Sequence, residues 1–154
     1  MIFLLAALLI GIVAGLRAMT APAIVSWAAQ LGVLPLQGTP LAFLGWRFTP
    51  WIVSLLAVGE LITDQLPTTP SRKLLAPFAT RIVMGGFCGA AVGLAAGQWW
   101  LGAAAGAVGA VLGTLGGAAA RARLAAAFGR DRPAALLEDI VAIGGGIAIM
   151  ALLP

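Results

Sequence analysis

Two carboxylates, Glu60 and Asp64, stand four residues apart in the apolar run FTPWIVSLLAVGELITDQLP. A helix puts residues at that spacing on one face. A charge at the centre of a bilayer costs at least ~2.5 kcal/mol on insertion scales, so an intramembrane acid marks a functional site by default. The chemistry open to this pair is proton relay, ligation of a hard cation, or an ion pair with an arginine. Glu60 lies about eleven residues into its segment, or ~16 Å by helix rise, near the middle of a span. It is the expected central ion or proton site. Weighed against that role is a buried, hydrogen-bonded acid or a structural ion pair. Asp64, one turn nearer the segment's end, is an auxiliary ligand or the partner of Arg72, Lys73 or another arginine on that side.

Glu138 and Asp139 open the last apolar run, RDRPAALLEDIVAIGGG, where the helix dipole favours acids. Their plain role is a charge cluster with Arg121, Arg123, Arg130 or Arg132; the sharper one is an acidic vestibule or second ion site. Arg17, in GLRAMTAP, holds a phosphate or carboxylate at the membrane interface, or snorkels to headgroups. Arg17 with Glu138 and Asp139 is the expected gate. Thr20 and Ser26 are placed to satisfy backbone groups freed around Pro22. Gly144, Gly145 and Gly146 predict either a helix break whose carbonyls face an ion path or a close packing face.

What the chain lacks narrows the chemistry further. It has no histidine and no tyrosine, which removes the commonest general base and metal ligand together. The single cysteine, Cys88, excludes an internal disulfide and reads as a small buried residue. We therefore expect no enzyme and no cofactor, and leave any bound metal unassigned.

The elements that must position these groups follow from composition. The 154 residues are 62% hydrophobic and 9% charged, against about 25% charged in a soluble domain. The mean hydropathy is +1.08. Continuous apolar runs, rather than alternating ones, argue against a β-barrel. The expectation is an all-α membrane protein of five to six transmembrane segments, forming one polytopic domain over residues 1–154. The segments are Ile2–Leu16, Ala18–Leu34 (stopped by Pro35), Thr49–Leu66 (stopped by Pro67), Thr80–Gly97, a run from Leu101 into ARARLAAAFG, and Ala134–Leu153. The first is read as a retained span, because no basic residue precedes its apolar core. A polar loop, QGTPLAFLGWR, joins the second and third, and GQWW turns between the fourth and fifth.

The net charge of +4 would suggest nucleic acid in a soluble protein. Here most cations sit in two short loops, which points to topology instead and leaves no nucleic-acid face. With both loops on the cytoplasmic side, Trp46, Trp51, Trp99 and Trp100 fall on the other, as an interfacial belt does. A bacterial inner membrane with both termini periplasmic is the expectation. Six spans also permit a three-plus-three inverted repeat, with halves 1–70 and 78–154. The bilayer is the first partner, followed by a second copy in a homodimer or by a larger membrane complex.

The runs GLRAMTAP, ELITDQLP and LLED together resemble a bacterial family of small membrane proteins known as domain of unknown function 4126. The resemblance covers nearly the whole chain. It rests on Gly15, Leu16, Arg17 and Pro22, on Glu60, Asp64 and Pro67, and on Glu138 and Asp139. Gln65 stands where family members often carry lysine. The resemblance implies an integral membrane protein and no agreed activity.

Overall fold

The computed structural model describes residues 1–66 and 68–154, and Pro67, expected to stop the third segment, lies outside them. The chain folds into six helices and no strand among the described residues: α1 (Ile2–Leu16), α2 (Thr20–Gln30), α3 (Thr49–Thr63), α4 (Leu75–Leu94), α5 (Trp99–Phe128) and α6 (Asp131–Ala151). A single 3-10 turn, Ala42–Gly45, lies between α2 and α3. Helices α4, α5 and α6 are each long and apolar enough to cross a membrane, whereas α1 and α3 are apolar but shorter.

Glycine sets the centre. A Cβ built on Gly106 of α5 would lie 2.9 Å from the Gly89 Cα of α4, and one on Gly11 of α1 would lie 2.7 Å from the Gly106 Cα. Three backbones thus meet at one position, which only a residue without a side chain allows. The contacts also give direction. Gly15 meets Gly113, so α1 and α5 run parallel; Gly93 meets Gly102, so α4 runs against α5. This three-helix centre draws α1 from one proposed repeat half and α4 and α5 from the other.

The remaining helices pack around that centre. Gly146 of α6 faces Ile24 of α2. Trp27 of α2 donates its indole N–H to Ser54 Oγ of α3 at 3.0 Å, and its ring meets Trp51 edge-on at 5.0 Å. Beyond this contact with α2 and the 3-10 turn, α3 leaves much of its apolar surface exposed, including Trp51, Leu55 and Ile62.

Three expectations change. The second apolar segment shrinks to Thr20–Gln30, because Arg17 is extended (φ −142°, ψ 112°) and Gly32 takes φ +80°, breaking the helix at both ends. The following stretch is no simple polar loop: Leu34, Leu36 and Leu44 are buried, and Phe43 lies 6.3 Å from Phe87 of α4. The predicted helix break at Gly144, Gly145 and Gly146 does not occur, since α6 runs unbroken from Asp131 to Ala151. Backbone hydrogen bonds carry α6 through that stretch, and a Cβ at Gly144 or Gly145 would meet nothing within 4 Å.

Helix α5 is the longest element, because GQWW divides between turn and helix. Gly97 takes φ +68° and Trp99 already begins α5. The helix continues for 30 residues to Gly129, a left-handed C-terminal cap at φ +65°.

Candidate functional site

The site grows from the elbow between α1 and α2. A helix end leaves carbonyls without partners, and a helix start leaves N–H groups. At this elbow both sets are met by charged side chains from distant elements. Arg81, in the second turn of α4, donates through Nη1 to the carbonyls of Gly15 (3.0 Å) and Leu16 (2.7 Å). Thr114 Oγ1 of α5 also donates to the Gly15 carbonyl at 3.2 Å. The Glu60 carboxylate, from α3, accepts the N–H of Ala18 on one oxygen and of Met19 on the other, both at 2.8 Å. The signs match the helix dipoles, with a cation at the end of α1 and an anion at the start of α2.

Arg17 occupies the elbow itself and is wholly buried. Its Nε donates to Asp139 Oδ1 at 2.7 Å, and its Nη2 lies 2.6 Å from the same oxygen. Its Nη1 donates to Asp64 Oδ2, and Glu138 Oε2 lies 3.7 Å from Nη2. One guanidinium thus joins α1 to α3 and α6. The alternative of snorkelling to headgroups is thereby corrected: the guanidinium is wholly buried and directed to the interior carboxylates of Asp139 and Asp64.

Two further arginines complete the network. Arg72, from the α3–α4 loop, forks onto both oxygens of Glu138, with Nη2 to Oε2 at 2.8 Å. Arg121 of α5 forks onto Asp131 through Nε (2.9 Å) and Nη2 (2.6 Å), and reaches Glu138 Oε2 at 3.4 Å. Arg81 Nη2 closes the ring, 3.8 Å from Glu60 and 3.6 Å from Asp64. Every acid of the chain, five in all, therefore stands in one cluster with Arg17, Arg72, Arg81 and Arg121.

The structure brings Arg17, Asp64, Glu138, Asp139 and Arg121 together as the sequence suggested. It differs at Glu60, which shares Arg81 with Asp64 rather than standing apart as a deep site. Glu60 lies beside the end of α1, because α1 stops at Leu16 and its elbow descends to meet it. Arg123, expected in the cluster, is exposed and makes no ion pair among the described residues. It follows Arg121 by two positions, so the helix turns it to another face. Thr20 and Ser26 do not serve the backbone around Pro22, since neither buried hydroxyl has a partner.

Arg81 and Asp131 are the residues of the network that sequence reasoning did not assign to it. Arg81 was hidden because the fourth segment is drawn from Thr80, whereas α4 begins at Leu75 and carries Arg81 in its second turn. Nothing in the sequence paired Asp131 with Arg121, ten positions earlier across a helix junction.

Beside the network lies an open cleft of about 610 Å³. Glu60, Asp64, Arg72, Arg81, Arg121 and Asp131 all line it, with the hydroxyls of Thr69, Ser71 and Thr80. A second, almost wholly apolar groove of about 550 Å³ lies between α2, α3 and α6, walled by Trp27, Ala57, Ile143 and Met150. Among the described residues no three His, Cys, Asp or Glu side chains form a group fit to hold a metal ion. The carboxylates are instead engaged by guanidinium groups and backbone amides. The arrangement can hold helices together, exchange ion-pair partners and carry one surplus negative charge.

Comparison with family models, curated proteins and solved structures finds no match to this chain, so the geometry of the elbow and its ion pairs carries the functional reading.

Proposed function

We propose that this chain is a multi-pass protein of a bacterial inner membrane that conducts or carries a cation or proton-coupled solute, with the ion-pair network as its closed cytoplasmic gate. The observation that carries the reading is Arg17. Its side chain ties the α1–α2 elbow to Asp64 of α3 and Asp139 of α6, beside a cleft open on the charged face. Exchanging those partners would free α3, which has few other contacts, from the glycine-packed centre. Five carboxylates facing four arginines leave a surplus negative charge, which favours a cation or proton as the coupled species.

Membrane residence is supported by the three long apolar helices and by the scarcity of charge. The orientation is supported by the parallel run of α1 and α5, which puts Met1 on the side of Trp99 and away from the network. The resemblance to domain of unknown function 4126 agrees with the class and adds no activity.

Reconstitution in proteoliposomes tests the gate. Wild-type vesicles should show cation or proton flux, and Asp64→Asn or Asp139→Asn should leak or lose coupling. Absence of any flux in wild type, across sodium, potassium and proton gradients, would remove the proposal. Glu60→Gln separates the two roles of that residue: flux unchanged would end its assignment as the central ion site.

One observation favours a second reading, a non-catalytic membrane subunit. Both Glu60 oxygens are engaged by backbone amides, as a structural cap requires. A stoichiometric partner recovered in mild detergent, together with silent proteoliposomes, would support that subunit.

A further inference from the structure

The charges divide unevenly, and the remainder defines a surface. All five acids belong to the ion-pair network, Asp131 at its exposed edge, and four arginines with them. Lys73, Arg123, Arg130 and Arg132 remain at the same end of the molecule, all exposed and without an ion pair among the described residues. Lys73 adjoins Arg72 in the α3–α4 loop, and Arg130 and Arg132 flank Asp131 at the α5–α6 junction. No carboxylate side chain is left in the chain for any of the four. Whatever neutralises them comes from outside the protein.

Their apolar neighbours say where that counter-charge lies. Lys73 is followed by Leu74 and Leu75, exposed at 55% and 85%, and Phe128, half-exposed, lies between Arg123 and Arg130. Exposed apolar groups interleaved with exposed cations suit the boundary between acyl chains and headgroups. Helix α5 adds a ruler. Its 30 residues extend ~45 Å, against a hydrocarbon core of ~30 Å, so the turns carrying Arg121 and Arg123 pass beyond the core into the headgroup layer.

We infer that Lys73, Arg123, Arg130 and Arg132 form a binding surface for the phosphate headgroups of anionic phospholipids in the surrounding leaflet. The inference rests on the membrane reading above. The bound lipids supply the counter-charges that the chain's own acids, all engaged in the network, do not.

Native mass spectrometry of the full chain, released from detergent with equal phosphatidylglycerol and phosphatidylcholine, tests this. Wild type should retain phosphatidylglycerol in preference. The quadruple variant K73Q/R123Q/R130Q/R132Q should lose that preference about tenfold or more. Arg47→Gln, an exposed cation outside this surface, should leave it unchanged, and the lysine variant R123K/R130K/R132K should keep most of it. Equal retention of the two lipids by wild type, or undiminished preference in the quadruple variant, would overturn the inference. So would full displacement of phosphatidylglycerol by inorganic phosphate, which would mark a site for a free anion. Should the quadruple variant fail to fold, R130Q/R132Q alone must still halve the preference. Extraction from cell membranes is scored separately: a chain recovered without detergent would end the membrane reading itself, whatever lipid it binds.

Discussion

Arg17 makes the strongest demand on the fold at the level of single residues. A fully buried guanidinium is tolerated only while its carboxylates remain in place, and removing one member of such a pair typically costs ~3–5 kcal/mol. Arg17→Gln should therefore lower the unfolding free energy in detergent by about that amount. A loss under about 1 kcal/mol would mean that the ion pairs are worth no more than exposed ones. Asp131 is the internal comparison, because its side chain is 59% exposed. Asp131→Asn should cost less than about 1 kcal/mol in the same measurement. Glu60 makes a different prediction. In Glu60→Gln one amide acceptor becomes a donor, so only one elbow N–H keeps its partner. Hydrogen exchange at Ala18 or Met19 should accelerate while the amides of α5 stay protected. Unchanged protection at both elbow amides would dismiss the capping role.

Glycine position decides what each helix tolerates at the level of elements. Gly106→Ala drives a methyl group into the α4 backbone at Gly85 and Gly89, and should unfold the chain or lower its melting temperature sharply. Gly144→Ala meets open space in α6 and should be neutral or stabilising by up to ~1 kcal/mol. Equal behaviour of the two variants in a thermal melt would contradict the packing described. The same elements set the limit of sequence reading. Apolar runs and prolines located six helices in order, and the acids drew attention to Asp64, Glu138, Asp139 and Arg17. That Glu60 would share Arg81 with Asp64 was not legible, because counting residues along α3 says nothing about where α1 ends. The buried returns at Leu36 and Leu44 were hidden because the surrounding glycines, prolines and Gln37 read as a loop. Gly144 to Gly146 stay helical because glycine weakens a helix by only about 1 kcal/mol per residue, too little to break one held by tertiary packing.

The whole molecule is asymmetric along its long axis. The ion-pair network and the exposed cations occupy one end, and Trp99, Trp100 and both chain termini lie toward the other. Single cysteines at Ser71 and Gln98 should therefore react with a membrane-impermeant reagent from opposite sides of sealed vesicles. The native Cys88, wholly buried, should not react. Labelling of both introduced cysteines from the same side would refute the orientation.

The elbow between α1 and α2 also bears on how the protein is made. Its N–H groups wait for Glu60, 42 residues later than Ala18 in the chain. Its carbonyls wait for Arg81, 66 residues beyond Gly15. At synthesis rates of about 5–20 residues per second, that second interval is roughly 3–13 seconds. Over that time the first two helices leave the ribosome with polar backbone at their junction and an arginine whose acidic partners do not yet exist. On the membrane reading proposed above, the nascent hairpin would keep its elbow at the membrane surface, in contact with water, and settle only when α3 and α4 arrive. On the same reading, completion of α6, which brings Asp139 to Arg17, would make the final insertion a late event of translation rather than its first step.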